Sequence, residues 1–336
     1  MEVVISKNLA AASLSGMIRL ASPLPTIFSV SLPPLPQWSY VNNRFDQLLK
    51  NMRYSPAQIE NYNTKLVELE RCLNAKYWPV KTSKDITFIL VGSWLKNTAV
   101  RTCSDIDIIF LLPYSVYSRY YYRGGNRQSA LLQEIKEVLL LSYPTTYIKG
   151  DGPTVVINFN AIKVEIAPAF LDPNGSRNIS DWNFKTSVCY TKDNGCYKIT
   201  APIAEALYTT QINQKSNGKL VNLIKMLKLW KKQCNVPIKT IALQMMAEHF
   251  INQGIQHSYL DWLLRDFFVY MITQKNKFDV FPATEELLEF GNTWVSYAQT
   301  AATISKRACY YEQYNYNSLA GELWQKIFGR MIPKEI

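Results

Sequence analysis

Two acids set two residues apart inside an apolar run, Asp105-Ile-Asp107-Ile-Ile-Phe-Leu-Leu112, constrain this chain more than any other feature. A strand alternates its side chains, so both carboxylates face one way while Ile106 and Ile108 face the other. Like charges at that spacing repel and call for a compensating cation. Upstream, Phe88-Ile-Leu-Val-Gly92-Ser93 reads as a strand that ends in a tight turn. Gly92 lacks a Cβ and Ser93 adds a hydroxyl, so the backbone N–H groups of this turn can approach phosphate. Downstream, Glu165 is the acid inside the apolar run Ile162–Phe170. Three carboxylates on neighbouring strands suit Mg²⁺, with Mn²⁺ as a substitute. They can hold two such ions about 3.5–4 Å apart, clamping the attacking and leaving oxygens of an in-line displacement.

Composition narrows the partner. The 336 residues carry 37 Lys+Arg against 26 Asp+Glu, a formal charge of +11, which favours an anionic partner. Only two histidines are present, His249 and His257, so histidine-based metal sites and histidine-dependent nucleophiles are disfavoured. The six cysteines form no CxxC pair, and Cys189 and Cys196 read as reduced thiols, which fits a reducing cytoplasm. No apolar run approaches the ~18 residues of a membrane span. Residues 1–40 are expected to be a peripheral extension, with Pro33, Pro34 and Pro36 marking an extended arm and Met17 or a later residue as an alternative start.

Periodicity divides the remainder into an α+β half and a helical half. Apolar spacing predicts helices over 42–77, with Ser55-Pro56 starting the second, then strands at 86–91 and 106–112. A Tyr- and Arg-rich loop is expected at 114–127, a helix at 129–141, and strands at 154–159 and 162–170 joined at Asn160-Ala161. An Asn/Asp/Gly/Ser-rich loop covers 172–198. Helices are then expected at 202–214, 218–233, 240–252, 258–273, 283–291, 293–312 and 316–329. The implied units are 1–40, 41–175 and 176–336.

In the helix at 218–233, Leu220, Leu223, Ile224, Leu227 and Trp230 form one apolar stripe. Lys225, Lys228 and Lys232 share a sector about 60° wide beside it. Lys228 borders the stripe, which suits an ammonium held at a cleft wall and reaching a triphosphate; Lys225 is balanced between that role and a solvated face.

Taken together, Val-Gly92-Ser93, Ser104-Asp105-Ile-Asp107, Lys163-Val-Glu165-Ile-Ala-Pro168, Leu223-Ile-Lys-Met-Leu-Lys228-Leu-Trp230 and Trp324-Gln-Lys-Ile-Phe328-Gly329 resemble the CD-NTases. These are bacterial cyclic-oligonucleotide synthases related to oligoadenylate synthetase and cyclic GMP–AMP synthase. The resemblance runs from about Phe45 to Pro333. It implies a polymerase-β-like nucleotidyltransferase core with a mixed sheet and a C-terminal helical lobe closing an active-site cleft. By position it implies that Gly92 and Ser93 hold the donor triphosphate and that Asp105, Asp107 and Glu165 bind two Mg²⁺. Lys228 and Thr240 would reach the phosphates. Glu165 replaces a commoner Asp, and Ile241 stands where several relatives place a base-stacking aromatic. Tyr114, Tyr117, Tyr120, Tyr121 and Tyr122 either offer stacking surfaces or line a surface loop.

The activity so implied joins nucleoside triphosphates, ATP among them, into a cyclic di- or trinucleotide second messenger in anti-phage signalling. The enzyme is expected to be a monomer, with an activating nucleic acid or regulatory protein upstream and an effector downstream of its product. The alternatives are a linear oligoadenylate synthetase, an RNA-directed nucleotidyltransferase, and a catalytically silent nucleic-acid-binding relative.

Overall fold

The computed structural model describes residues 38–336, except 81, 83, 84, 104, 161, 191–194, 255, 256, 282 and 283. The expectations for residues 1–37, including the proline-rich arm and Met17, lie outside the described residues, as does Ala161 of the expected turn.

Two helices open the described chain, α1 (Trp38–Asn51) and α2 (Pro56–Tyr77). Ser55 caps α2 as its sequence predicts: its hydroxyl accepts from the Gln58 N–H at 3.2 Å, and Gln58 Oε1 accepts from the Ser55 N–H at 2.9 Å. Next come β1 (Phe88–Val91), a single turn α3 (Gly92–Leu95), β2 (Ile106–Leu111), α4 (Tyr114–Tyr121) and α5 (Arg127–Ser142). The strands β3 (Tyr147–Asp151), β4 (Thr154–Phe159), β5 (Ile162–Leu171), β6 (Thr186–Tyr190) and β7 (Cys196–Thr200) complete the main sheet. Helices α6 (Pro202–Lys215), α7 (Lys219–Gln233), α8 (Thr240–Asn252) and α9 (Leu260–Ile272) follow. A hairpin of β8 (Phe278–Val280) and β9 (Leu287–Glu289) then precedes α10 (Val295–Gln313) and α11 (Asn317–Phe328).

The sheet runs β1-β2-β5-β4-β3, with β6 on β5 and β7 on β6. It is mixed: β2 and β5 are parallel, and the other pairs are antiparallel. One sheet face packs Ile106, Ile108 and Phe110 against α2 and α5 residues such as Leu73 and Ile135, while Ile89, Ile109 and Phe184 pack on the other face. A third core joins α1 to the C-terminal helices, around the fully buried Trp230, Trp294 and Trp324. The predicted stripe of α7 is buried along its length, and Val221, Met226 and Leu229 outside the stripe are buried too, so the helix is enclosed on nearly all sides.

Four local expectations are corrected. The Tyr/Arg segment after Pro113 is the helix α4, because Val116 and Tyr120, four apart, both turn inward. Strands β6 and β7 occupy the stretch expected as loop, extending the sheet past residue 175 to Thr200. Residues expected as a helix at 283–291 contain β9 instead: Leu288 is buried between exposed Leu287 and Glu289, the period of a strand. β3 was not anticipated; its Lys149-Gly-Asp151 composition is tolerable on an edge strand. Cys72, Cys103, Cys196, Cys234 and Cys309 are free thiols, while the side chain of Cys189 lies outside the described residues. Among the described residues no helix is long and apolar enough to cross a membrane.

Arg44 of α1 ties the first described helix to the last residues of the chain. Its Nε donates to Glu312 Oε1 at 2.8 Å, and its other nitrogens donate to the carbonyls of Pro333, Lys334 and Asn317. The pair is almost fully buried, with side-chain exposures of 0% and 2%. Gly321 lets the Lys334 carbonyl approach, since a Cβ there would fall 2.0 Å from that oxygen. Removing one partner of a buried pair strands the other charge. Arg44→Leu is therefore expected to cost roughly 3–5 kcal/mol in urea denaturation, whereas Lys149→Leu, in an exposed pair with Asp151, leaves the midpoint essentially unchanged.

Candidate active site

The expected acids converge where β1, β2 and β5 lie side by side. Asp107 is in register with Val91 of β1 and with Glu165 of β5. Asp105 immediately precedes β2, and its carbonyl accepts from Trp94 Nε1 at 3.1 Å. Tyr54 stacks on that indole with ring centroids 4.8 Å apart. Gly92 follows β1 with φ +60, and a Cβ built there would fall 2.4 Å from Asp107 Oδ2. Glycine is required at 92 both for its backbone angle and for the room that Asp107 takes. All five residues, Gly92, Ser93, Asp105, Asp107 and Glu165, line one cleft of about 1020 Å³.

The electrostatics follow from crowding. Burial pushes the Asp107 carboxyl up to about 6, and the charges of Glu165 and Asp105 push the same way, against Lys228 and Lys163. Lys163 lies two residues before Glu165 on the same strand face. Its ammonium pairs with Asp105 Oδ2 at 2.6 Å and with Glu165 Oε1 at 2.7 Å, and those bonds hold it well above the usual lysine range. Carboxylate oxygens without imidazole or thiolate are the donor set of a hard divalent cation. Among the described residues no three His, Cys, Asp or Glu side chains are grouped closely enough to hold a metal as they stand. The outer two are drawn to Lys163, and a cation entering here competes with that ammonium.

The opposite wall is cationic and comes from the helices. Lys228 of α7 is 9% exposed and donates to the Thr98 carbonyl at 3.0 Å, and burial lowers its ammonium to about 8. Lys231 donates to Thr240 Oγ1 at 2.9 Å, and Lys232 donates to the Thr102 carbonyl. Thr240 opens α8 and lines the cleft beside Ile241. Lys225 does not line it. It shares the sector of Lys228 but sits about 4.5 Å back along the helix axis; there burial, with the charge of Arg53, lowers it to about 8. Helical angle already favours Lys228, which borders the apolar stripe, and axial level decides between the two.

Other cleft residues were not anticipated. Lys96 is buried, ion-paired with Glu205 at 2.7 Å and near Gln244 Oε1 at 3.5 Å. Gln244 in turn donates to Glu248 Oε1 at 2.8 Å, and Thr209 donates to the same oxygen at 2.7 Å. Such polar groups scattered through apolar helices carry no local motif. Lys163 was not anticipated either, although strand period 2, which places it beside Glu165, could have found it.

Residues 40–213 match the Second Messenger Oligonucleotide or Dinucleotide Synthetase (SMODS) domain family. The chain belongs to this family of nucleotidyltransferases. It is similar to a CBASS oligonucleotide cyclase, CdnC, of Escherichia coli, 21% identical over 84% of this chain and 94% of that protein. In three dimensions it resembles the Vibrio cholerae di-nucleotide cyclase DncV, with a TM-score of 0.66, 11% identity, and coverage of 90% of this chain and 98% of that one. It also resembles E. coli CdnC in its complex with a HORMA protein, with a TM-score of 0.62, 15% identity, and coverage of 87% and 98%. The fold is thus the polymerase-β-like nucleotidyltransferase fold expected.

The raised Asp107 pKa carries a sign. Its carboxyl is neutral in the fold below about pH 6, so ionising it at pH 7.5 disfavours the folded state. In EDTA at pH 7.5, Asp107→Asn is expected to stabilise the protein by roughly 2–3 kcal/mol, with about half of that gain left at pH 5 and the rest lost only below about pH 4. Lys163→Met should lower the thermal midpoint in EDTA, and added Mn²⁺ should raise the midpoint of that variant more than that of the parent. Differential scanning fluorimetry reads both.

Proposed function

We propose that this chain joins nucleoside triphosphates, ATP among them, into a cyclic di- or trinucleotide second messenger. The observation that carries the reading is the register of Asp107 with Glu165, beside Gly92 and Ser93 and across the cleft from Lys228. In each round a ribose 2′- or 3′-oxygen of an acceptor forms a bond to the α-phosphorus of a donor triphosphate, and the bond to pyrophosphate breaks. A second round within the same cleft closes the ring. At about 1020 Å³ the cleft lies just above the ~300–1,000 Å³ range of single-ligand pockets, which supports holding more than one nucleotide.

Each residue has a role on this reading. Gly92 and Ser93 seat the donor triphosphate with backbone N–H groups and a hydroxyl. Lys228, its ammonium desolvated and restrained by Thr98, meets the phosphates from the helical side, with Lys231 and Thr240 beyond it. Asp105, Asp107 and Glu165 would hold two Mg²⁺, which supply charge for the leaving pyrophosphate and lower the pKa of the attacking hydroxyl. The family relation to a CBASS cyclase supports a signalling role in defence against phage, with an effector that reads the product. The HORMA complex of CdnC supports a regulatory protein as activator, and a nucleic acid is the other candidate.

Incubation of the purified protein with labelled nucleoside triphosphates and Mg²⁺ tests this. A phosphatase-resistant product is expected, lost at least about 10³-fold in Asp105→Ala with Asp107→Ala and reduced about 10²–10³-fold in Lys228→Met. A phosphatase-sensitive linear product overturns cyclisation, and tailing of added RNA points to an RNA-directed enzyme. Absence of turnover with every activator tried leaves only a binding protein.

A further inference from the structure

A second surface lies away from the cleft. Asp107 sits near the start of β2 and α4 follows its far end, roughly 20 Å along the strand direction. On α4, Tyr114, Tyr117 and Tyr121 recur at helical spacing and form a ladder of rings. Tyr114 and Tyr117 stack at 5.6 Å with planes 25° apart, and Tyr117 and Tyr121 follow at 5.9 Å and 35°. The middle ring is fixed edge-on to Phe170 at 5.3 Å, which anchors the ladder to the sheet. The outer rings are open: Tyr114 is 76%, Tyr121 52% and Tyr122 87% exposed.

The charge around the ladder has one sign. From Tyr114 to Gln133 the chain carries Arg119, Arg123 and Arg127 and no acid. Arg119 is committed to Glu134 at 2.6 Å. Arg123 and Arg127 meet no carboxylate among the described residues. Their guanidinium groups instead lie over the rings of Tyr120 and Tyr121, at 5.7 and 5.6 Å from the centroids. Exposed rings interleaved with guanidinium groups that meet no carboxylate, Arg127 also donating to the Tyr121 carbonyl, suit a polyanion whose flat groups are accessible. A duplex hides its base faces in the stack, while a single strand offers both bases and phosphates.

We propose that α4 and the Arg123–Arg127 turn form a docking site for single-stranded nucleic acid. Bases stack on Tyr114, Tyr121 and Tyr122, and phosphates meet Arg123 and Arg127. The site is separate from the cleft and does not depend on catalysis there.

Fluorescence anisotropy of the full chain, in EDTA and without nucleoside triphosphates, tests the proposal with fluorescein-labelled oligouridylate and oligothymidylate of about 12 nucleotides and a duplex of equal length. Single strands are expected to bind more tightly than the duplex, and affinity should fall steeply between about 50 and 200 mM salt. Tyr114→Ala with Tyr121→Ala should weaken binding at least about tenfold. Arg123→Glu with Arg127→Glu should weaken it and flatten the salt dependence. Asp105→Ala, in the cleft, should leave binding unchanged, which separates this site from the catalytic reading. Both tyrosines are exposed, and an unchanged thermal midpoint confirms that the double variant is folded. No binding at 100 μM, equal binding by the tyrosine variant, or a preference for duplex overturns the proposal; the first of these leaves a protein as the occupant of the face.

Discussion

Three carboxylates held at one point of a sheet govern how the rest of the molecule is arranged around them. Register places Asp107 directly opposite Glu165, and the β1 turn brings Gly92 against its carboxyl. Neither position can relax away, because Ile106, Ile108, Val164 and Ile166, on the alternate positions of the same strands, are locked in the core beneath. The sheet therefore fixes a mutual repulsion that the protein must offset with its own cations. Lys163 does so from within the sheet, and Lys228 does so from across the cleft.

The second of these cations depends on long-range packing. Lys228 reaches the site because the apolar stripe of α7 is buried in the helical core, and α1 contributes Val41, Phe45 and Leu48 to that core. Arg44, on the same helix as Phe45, binds the carbonyls near the end of the chain and the buried Glu312 of α10. The position of one ammonium thus rests on contacts between residues nearly 300 apart, which no local pattern can report. The Lys228–Thr98 bond then couples the helical half to the loop that leads into Asp105.

This division explains what could be read from sequence. Gly92, Asp105, Asp107 and Glu165 were legible because period 2 and a tight turn place them by local geometry alone. The stripe of α7 and the cap of α2 were legible for the same reason. The hairpin of β8 and β9 was not: Glu285, Glu286 and Leu287 favour helix, and only the burial of Leu288 and Phe290 against the helical core selects the strand. The α4 helix was masked because tyrosine and arginine are as common in loops as on a half-buried helix face, and only Val116 and Tyr120 facing inward distinguish the two. Lys228 was favoured over Lys225 because it borders the apolar stripe, but Lys225 could not be set aside, since the level at which a helix meets a cleft belongs to the tertiary fold.

The charges of the cleft are sorted by element, and that sorting bears on what the cleft can accept. The sheet presents a buried carboxyl crowded by two others, and burial first and their charges second raise the Asp107 pKa. The helices present a buried ammonium, and burial first and the charge of Lys96 second lower the Lys228 pKa. A divalent cation alone would relieve the sheet and leave the helices strained; a phosphate alone would relieve the helices and meet repulsion from the sheet. A metal–triphosphate complex carries both charges in the matching order, and each half of its binding removes the electrostatic objection to the other. On the proposed reading the two should therefore bind cooperatively, with Lys163 holding the acids until the pair arrives.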